Sequence, residues 1–326
     1  MSLSQKYPTA ASIHTFQVAE HTPTQRLDKY LASVLTDFSR ARIQQWIQQG
    51  AVLLNDQPVR PRAQINAGDR IQVQIIPSAE ELAFHAQDLP LDMVYVSEQV
   101  IVLNKAAGMV THPGAGNWSG TVLNALLYHF PELEAVSRAG IVHRLDKDTS
   151  GLLMVARTEQ ARVQLVEQLK KRTVLRAYRA LCLGHTPSSG VIDVPIARDP
   201  RVAVRMCARD LPGARSARTD YYALRYGVVE QHHQVTELRC TLHTGRTHQI
   251  RVHLSSLGHP LLGDGLYGGL NTPYTKRQML HAFQLGFIEP ETQKSLRFEC
   301  APPTDYQNLC AQIDWTEEEF CAEHHA

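Results

Sequence analysis

Leu27, Tyr30, Leu31, Val34 and Leu35 recur at steps of three and four, a spacing that predicts an amphipathic helix. Ser39 then predicts the cap of a second helix, with Ile43, Trp46 and Ile47 on one stripe and Gly50 as its stop. A short apolar run from Val52 to Leu54, a turn at Asn55 and Asp56, and the alternation of Ile71, Val73 and Ile75 read as strands. Two helices and short strands make one small domain, residues 23–77. Ahead of it, residues 1–22 carry no sustained apolar period and are expected to be a loose arm. Behind it, residues 78–90 have little period and prolines at either edge, Pro77 and Pro90, and read as a linker.

A larger domain is expected over 91–313. Apolar runs at 93–96, 100–103, 152–156, 181–183 and 235–242 alternate with helical patterns. The clearest strand is 235–242, where Leu238, Cys240 and Leu242 share a face opposite Glu237, Arg239 and Thr241. Thr158 predicts a helix cap ahead of Val163, Val166 and Leu169, and Thr247 another ahead of Ile250, Leu254 and Leu257, stopped by Gly258. The class implied is α+β, with a mixed, mostly antiparallel sheet flanked by helices. Residues 314–326 form an acidic tail.

The length of 326 residues suits two domains. The absence of an apolar run of about 18 residues and of a signal-like start predicts a cytoplasmic protein without a membrane partner. The six cysteines contain no CxxC pair, so they are expected to be reduced thiols rather than zinc ligands. A net charge of +1 hides an uneven distribution. Residues 138–179 carry ten Lys or Arg against four acids, residues 198–225 seven Arg against three Asp, and residues 289–326 nine acids against two bases.

Arg40 and Arg42 lie off the apolar stripe of the second helix, and Arg60 and Arg62 follow on the next hairpin, an arrangement suited to a phosphate backbone. In the larger domain, GIVHRLDKDTSGLLMVART at 140–158 gathers Arg144, Asp146, Lys147 and Asp148 in a polar turn between apolar runs. From the residues alone such a turn is a cap, a divalent-metal site, a solvated loop or a catalytic centre.

The segments QRLDKYLA and SRARIQQWIQQGAVLLND resemble the S4 RNA-binding module, and HRLDKDTSGL resembles the signature of the RluA family of RNA pseudouridine synthases. LNKAAGMVTHPGAGN (103–117), LRAYRAL (175–181), LHTGRTHQIRVHL (242–254) and HPLLGDGLYGG (259–269) resemble further motifs of that family in their usual order. The S4 module and the HPGAGN turn are most like its RluD branch, which acts on large-subunit rRNA. Ala106, where the family usually has proline, and Ala177, where a charged residue is common, depart from the pattern without removing a reactive side chain.

The resemblance implies a pseudouridine synthase fold and the isomerisation of uridines in structured RNA, naked or within an assembling ribosomal subunit. It implies Asp146 as the catalytic carboxylate, Arg246 as its cation and Tyr178 as a ring against the flipped uracil. It further implies Arg144 entering the RNA stack, with His143 and Lys147 beside it as RNA-binding residues. An isomerisation carries nothing in or out, so no cofactor and no metal is expected. His243, His248 and His253 fall on a strand, a turn and a helix, so their even spacing does not predict a metal cluster. The chain is expected to be monomeric. The competing expectation is a catalytically silent RNA-binding or ribosome-assembly factor.

Overall fold

The computed structural model describes residues 13–60, 62–77, 83–114, 116–273 and 275–316. The chain divides into two compact units after His85.

In the first unit, β1 (Ile13–Gln17) and β2 (Gln25–Arg26) precede α1 (Leu27–Val34) and α2 (Arg40–Gln48). The strands β3 (Val52–Leu54), β4 (Gln57–Pro58), β5 (Gln64–Ile65) and β6 (Arg70–Gln74) follow. Ser39 caps α2 by accepting the Arg42 N–H at 3.3 Å. Asn55 and Asp56 both take positive φ, 51° and 64°, which is the two-residue turn a right-twisted hairpin favours between β3 and β4. Leu27, Leu31, Ile43, Trp46, Ile47, Ile71 and Val73 form the core, as their periodicity implied. The expected loose arm is corrected over 13–17. These residues pair antiparallel with β6 through their backbones while their side chains stay mostly exposed, so the strand has no apolar alternation to read. Residues 1–12 of that arm lie outside the described residues.

In the second unit, β7 (Asp92–Val96), β8 (Val100–Lys105), β9 (Ser150–Ala156) and β10 (Leu175–Leu183) are followed by β11 (Ser189–Asp193), β12 (Ile196–Arg198) and β13 (Met206–Ala208). Next come β14 (Arg218–Val229), β15 (His233–Leu242), β16 (Leu280–Ile288), β17 (Ser295–Glu299) and β18 (Ile313–Trp315). The helices are α3 (Val122–His129), α4 (Glu159–Lys171), α5 (Gln249–Ser256) and α6 (Thr304–Cys310). Among the described residues ten strands form one sheet in the order β11-β14-β15-β10-β16-β9-β8-β7, with β17 added beside β16 and β18 beside β14. Its pairs are antiparallel except β16 with β9, where His281 and Ala282 stand beside Ser150 and Gly151. That approach needs glycine, since a Cβ on Gly151 would stand 2.3 Å from the Ala282 carbonyl oxygen, at φ +116°.

The larger core packs α3, α5 and the 139–145 segment against Leu103, Leu153, Tyr178, Leu238 and Cys240. A second core joins α4 to Val100, Val102, Leu152 and Met154. Thr158 caps α4 as expected. Thr247 does not cap α5, which starts two residues later. His248 occupies the N-cap in the left-handed region, and the Gln249 side chain accepts from the Arg246 N–H at 3.0 Å. The linker expectation fails over its last residues, because Gln87 donates its N–H to Asn124 and accepts from the Gly120 N–H; residues 78–82 lie outside the described residues. Asp314 and Trp315 of the expected tail belong to β18, and residues 317–326 lie outside the described residues. The five described cysteines are free. Among the described residues no helix is long and apolar enough to cross a membrane.

Candidate active site

Asp146 sits in the turn that feeds β9, and the backbone of that turn is held on every side. Thr111 donates its hydroxyl to the Leu145 carbonyl at 2.8 Å and accepts the Leu145 N–H at 3.3 Å. The Lys147 carbonyl receives the Gly108 N–H and the Lys105 ammonium, both at 2.9 Å. Lys105 is 1% exposed and also reaches the Ala106 and Met109 carbonyls, at 2.7 and 2.8 Å. Burial pushes its pKa down to about 7, against the opposing pull of Asp146 and Asp148. Arg277, itself held by Asp305, donates to the Asp148 carbonyl at 3.0 Å.

The carboxylate of Asp146 is paired with Arg251, whose Nη1 lies 3.1 Å from Oδ2. The same guanidinium gives Nε and Nη2 to Asp264 at 2.7 and 2.9 Å, so Asp264 fixes its plane. Burial works against the Arg251 charge, but the two carboxylates outweigh it and hold its pKa above the ordinary value. Asp146 Oδ1 has no protein partner among the described residues and faces a cleft of about 1160 Å³. Eight Lys or Arg against Asp146 and Asp148 line that cleft among the described residues.

The expected pairing of Asp146 with Arg246 is therefore corrected. Arg246 lines the cleft, but its Nε donates to the Ser216 carbonyl at 3.0 Å, ahead of α5. Tyr178 lines the cleft from β10, where the pairing with β16 slips between Ala177 and Arg179, an irregularity of the kind that re-aims side chains. Burial pushes its phenol up to about 12, so it stays neutral at physiological pH. Arg144 and Lys147 are exposed at the cleft. His143 lines the cleft half-buried: burial pushes its pKa down to about 3, so its ring is neutral there, and its Nε2 accepts the Met154 N–H at 3.1 Å. His243, His248 and His253 serve separate partners, Asp220, Tyr267 and Thr219 with Val194. Sequence reasoning missed Arg251, Asp264 and Lys105, although all three lie inside the segments quoted above.

In the first unit Arg60 and Arg62 are exposed. Arg40 is half exposed, with Nε and Nη2 both on Asp28 Oδ2. Arg42 is corrected: its guanidinium donates to the Ile76 carbonyl and lies 5.2 Å from the ring centroids of Phe38 and Trp46, so it is committed to packing.

A carboxylate on a fixed cation, in a cleft this basic, is an arrangement suited to acting on an anionic polymer. A family model described as RNA pseudouridylate synthase matches residues 99–256, and the S4 domain matches residues 25–71. The ribosomal large subunit pseudouridine synthase D of Neisseria meningitidis serogroup A is 45% identical over 299 residues, covering 88% of this chain and 78% of the relative. That of Xanthomonas campestris is 43% identical over 326 residues, 96% of either chain. The solved structure of human RNA Pseudouridylate Synthase Domain Containing 1 superposes with a TM-score of 0.54 at 30% identity, over 74% of this chain and 92% of that one. The chain belongs to the RNA pseudouridylate synthase family and carries an amino-terminal S4 domain.

Proposed function

We propose that this enzyme converts uridines of large-subunit ribosomal RNA to pseudouridine in the cytosol, with Asp146 as its catalytic carboxylate. The observation that carries the reading is the pinned Asp146, one oxygen on Arg251 and the other open to a cationic cleft. The names of the relatives support the choice of RNA. In the reaction the N1–C1′ bond breaks, a C5–C1′ bond forms, and the C5 proton leaves as N1 regains one. Asp146 adds to a sugar or base carbon, or removes a sugar proton as the glycosidic bond breaks; both routes start from the open oxygen. Tyr178 stacks on the extruded uracil, and Arg144 fills the space it leaves, stacking its planar guanidinium on neighbouring bases. Arg60 and Arg62 contact phosphates from the S4 domain, with Lys147 doing so at the cleft.

The test maps pseudouridines, by an adduct that stalls reverse transcription, in cells with the wild-type gene, without it, and with Asp146→Asn. Discrete large-subunit positions vanish in both altered strains if the reading holds. An unchanged map in every RNA class would make the protein a silent RNA-binding factor.

A further inference from the structure

The buried arginines of the second unit differ in what balances them. Arg251 is held by Asp264 and Asp146, and Arg277 by Asp305. Arg176, on β10 two residues before Tyr178, is 7% exposed and has no carboxylate. Its Nη2 donates to the Leu242 carbonyl at 3.3 Å, and its Nε is buried without a partner. An unpaired donor of that kind costs roughly 1–3 kcal/mol, more when the group is charged, unless something satisfies it.

Its surroundings add charge instead of cancelling it. The turn above is Gly245, where a Cβ would stand 2.8 Å from Arg176 Nη1, so only glycine lets the guanidinium lie against the backbone undisturbed. Arg246 follows immediately and raises the positive potential at Arg176; Arg215 and Arg172 do the same at Arg246. None of the four makes an ion pair among the described residues. Arg172, Arg176 and Arg246 all line the Asp146 cleft. A concave cluster of guanidinium groups with no carboxylate among them attracts an anion.

We propose that Arg176 and Arg246, backed by Arg172 and Arg215, form a subsite for one phosphodiester group of the RNA strand, adjoining the flipped uridine. This rests on the function proposed above. Residues two apart on a strand are about 6.6 Å apart along its axis, so Arg176 stands about one nucleotide's reach from the ring of Tyr178. The phosphate accepts from Arg176 Nη1, which has no partner among the described residues, and from the free Nη groups of Arg246. Holding it ties the backbone beside the target, so that the base and sugar meet Tyr178 and Asp146 in one register.

Phosphate-ethylation interference tests this. A large-subunit rRNA fragment is lightly ethylated at its phosphates, bound to the full-length protein, and the bound and free pools are mapped. With wild type, ethylation of one phosphate adjoining the modified uridine excludes the RNA from the bound pool. With Arg246→Ala, and with Arg176→Met if circular dichroism shows it folded, that position alone becomes indifferent while other interfering phosphates persist. The slope of log Kd against log salt falls by about 0.7–0.9. An interference pattern unchanged in Arg246→Ala overturns the subsite, and is also the result expected if the cluster holds free inorganic phosphate. A wild type that converts no uridine, yet shows one interfering phosphate lost in the variants, overturns the proposed reaction and leaves the subsite standing.

Discussion

Arg251 Nη1 lies 3.1 Å from Asp146 Oδ2, a contact that closes 105 residues of chain and leaves the second carboxylate oxygen open to the cleft. Because Asp264 takes Nε and Nη2 of the same guanidinium, the contact depends on a planar fork that joins two carboxylates at fixed angles.

Arg251→Lys retains the charge and loses the fork. An ammonium cannot reach both faces of that arrangement, so either Asp146 or Asp264 loses its partner. Asp264 is 1% exposed, and removing the guanidinium altogether by Arg251→Ala strands that buried charge at a cost of about 3–5 kcal/mol. We expect Arg251→Lys to fold, with a lower urea midpoint and single-turnover conversion slowed at least about a hundredfold. Arg246→Ala should leave the midpoint within error. Equal damage to stability from the two changes would mean that the Asp264–Arg251–Asp146 chain does not organise the site.

The two arginines also mark where the sequence stops being informative. Both stand in one short motif, and the motif alone does not say which of them the fold carries to the signature turn. The resemblance points to the first arginine of the motif, Arg246, whereas the fold brings the second, Arg251, onto Asp146; separately, the helix cap falls at His248, one residue past Thr247. The S4 helices, their core and the position of Asp146 were legible because they rest on local periodicity and contiguous motifs. His143 was not, because its partner, the Met154 N–H, is brought beside it only by the fold. Arg42 was half legible: Trp46 stands four residues on, which puts the two on one helical face, whereas Phe38 precedes the cap and meets Arg42 only through the turn before the helix.

Asp28 gives the S4 domain an acid limit. Its side chain is fully buried, which raises its pKa, but hydrogen bonds from Gln44, Arg26 and Arg40 outweigh burial and bring it down to about 2 from 3.8. The folded carboxyl therefore binds a proton less readily than the unfolded one. The resulting stability, about 2 kcal/mol, is fully present above pH 4 and lost as pH falls through about 2. Urea titrations followed by Trp46 fluorescence, with Trp118 and Trp315 replaced by Phe, should show this loss between pH 4 and 2. In Asp28→Asn the slope should vanish and the domain should be weaker at neutral pH; a slope that survives the substitution assigns the acid sensitivity elsewhere.

Lys105 tests whether the rigidity of the Asp146 turn matters for the reaction. Its three ammonium protons meet three carbonyl oxygens, those of Ala106, Met109 and Lys147, so it ties the 105–109 segment to the residue after Asp146. Lys105→Met fills similar space and satisfies none of them. The Lys147 carbonyl keeps the Gly108 N–H, while the Ala106 and Met109 carbonyls lose this donor, at roughly 1–3 kcal/mol for each that stays unsatisfied. Since Lys105 is almost wholly buried, it has little surface to offer RNA, and the Kd for substrate should change less than about threefold while single-turnover conversion falls between about tenfold and a hundredfold. A loss confined to Kd would place Lys105 in RNA binding, and an unchanged rate in a destabilised variant would mean that the turn tolerates movement without cost to catalysis.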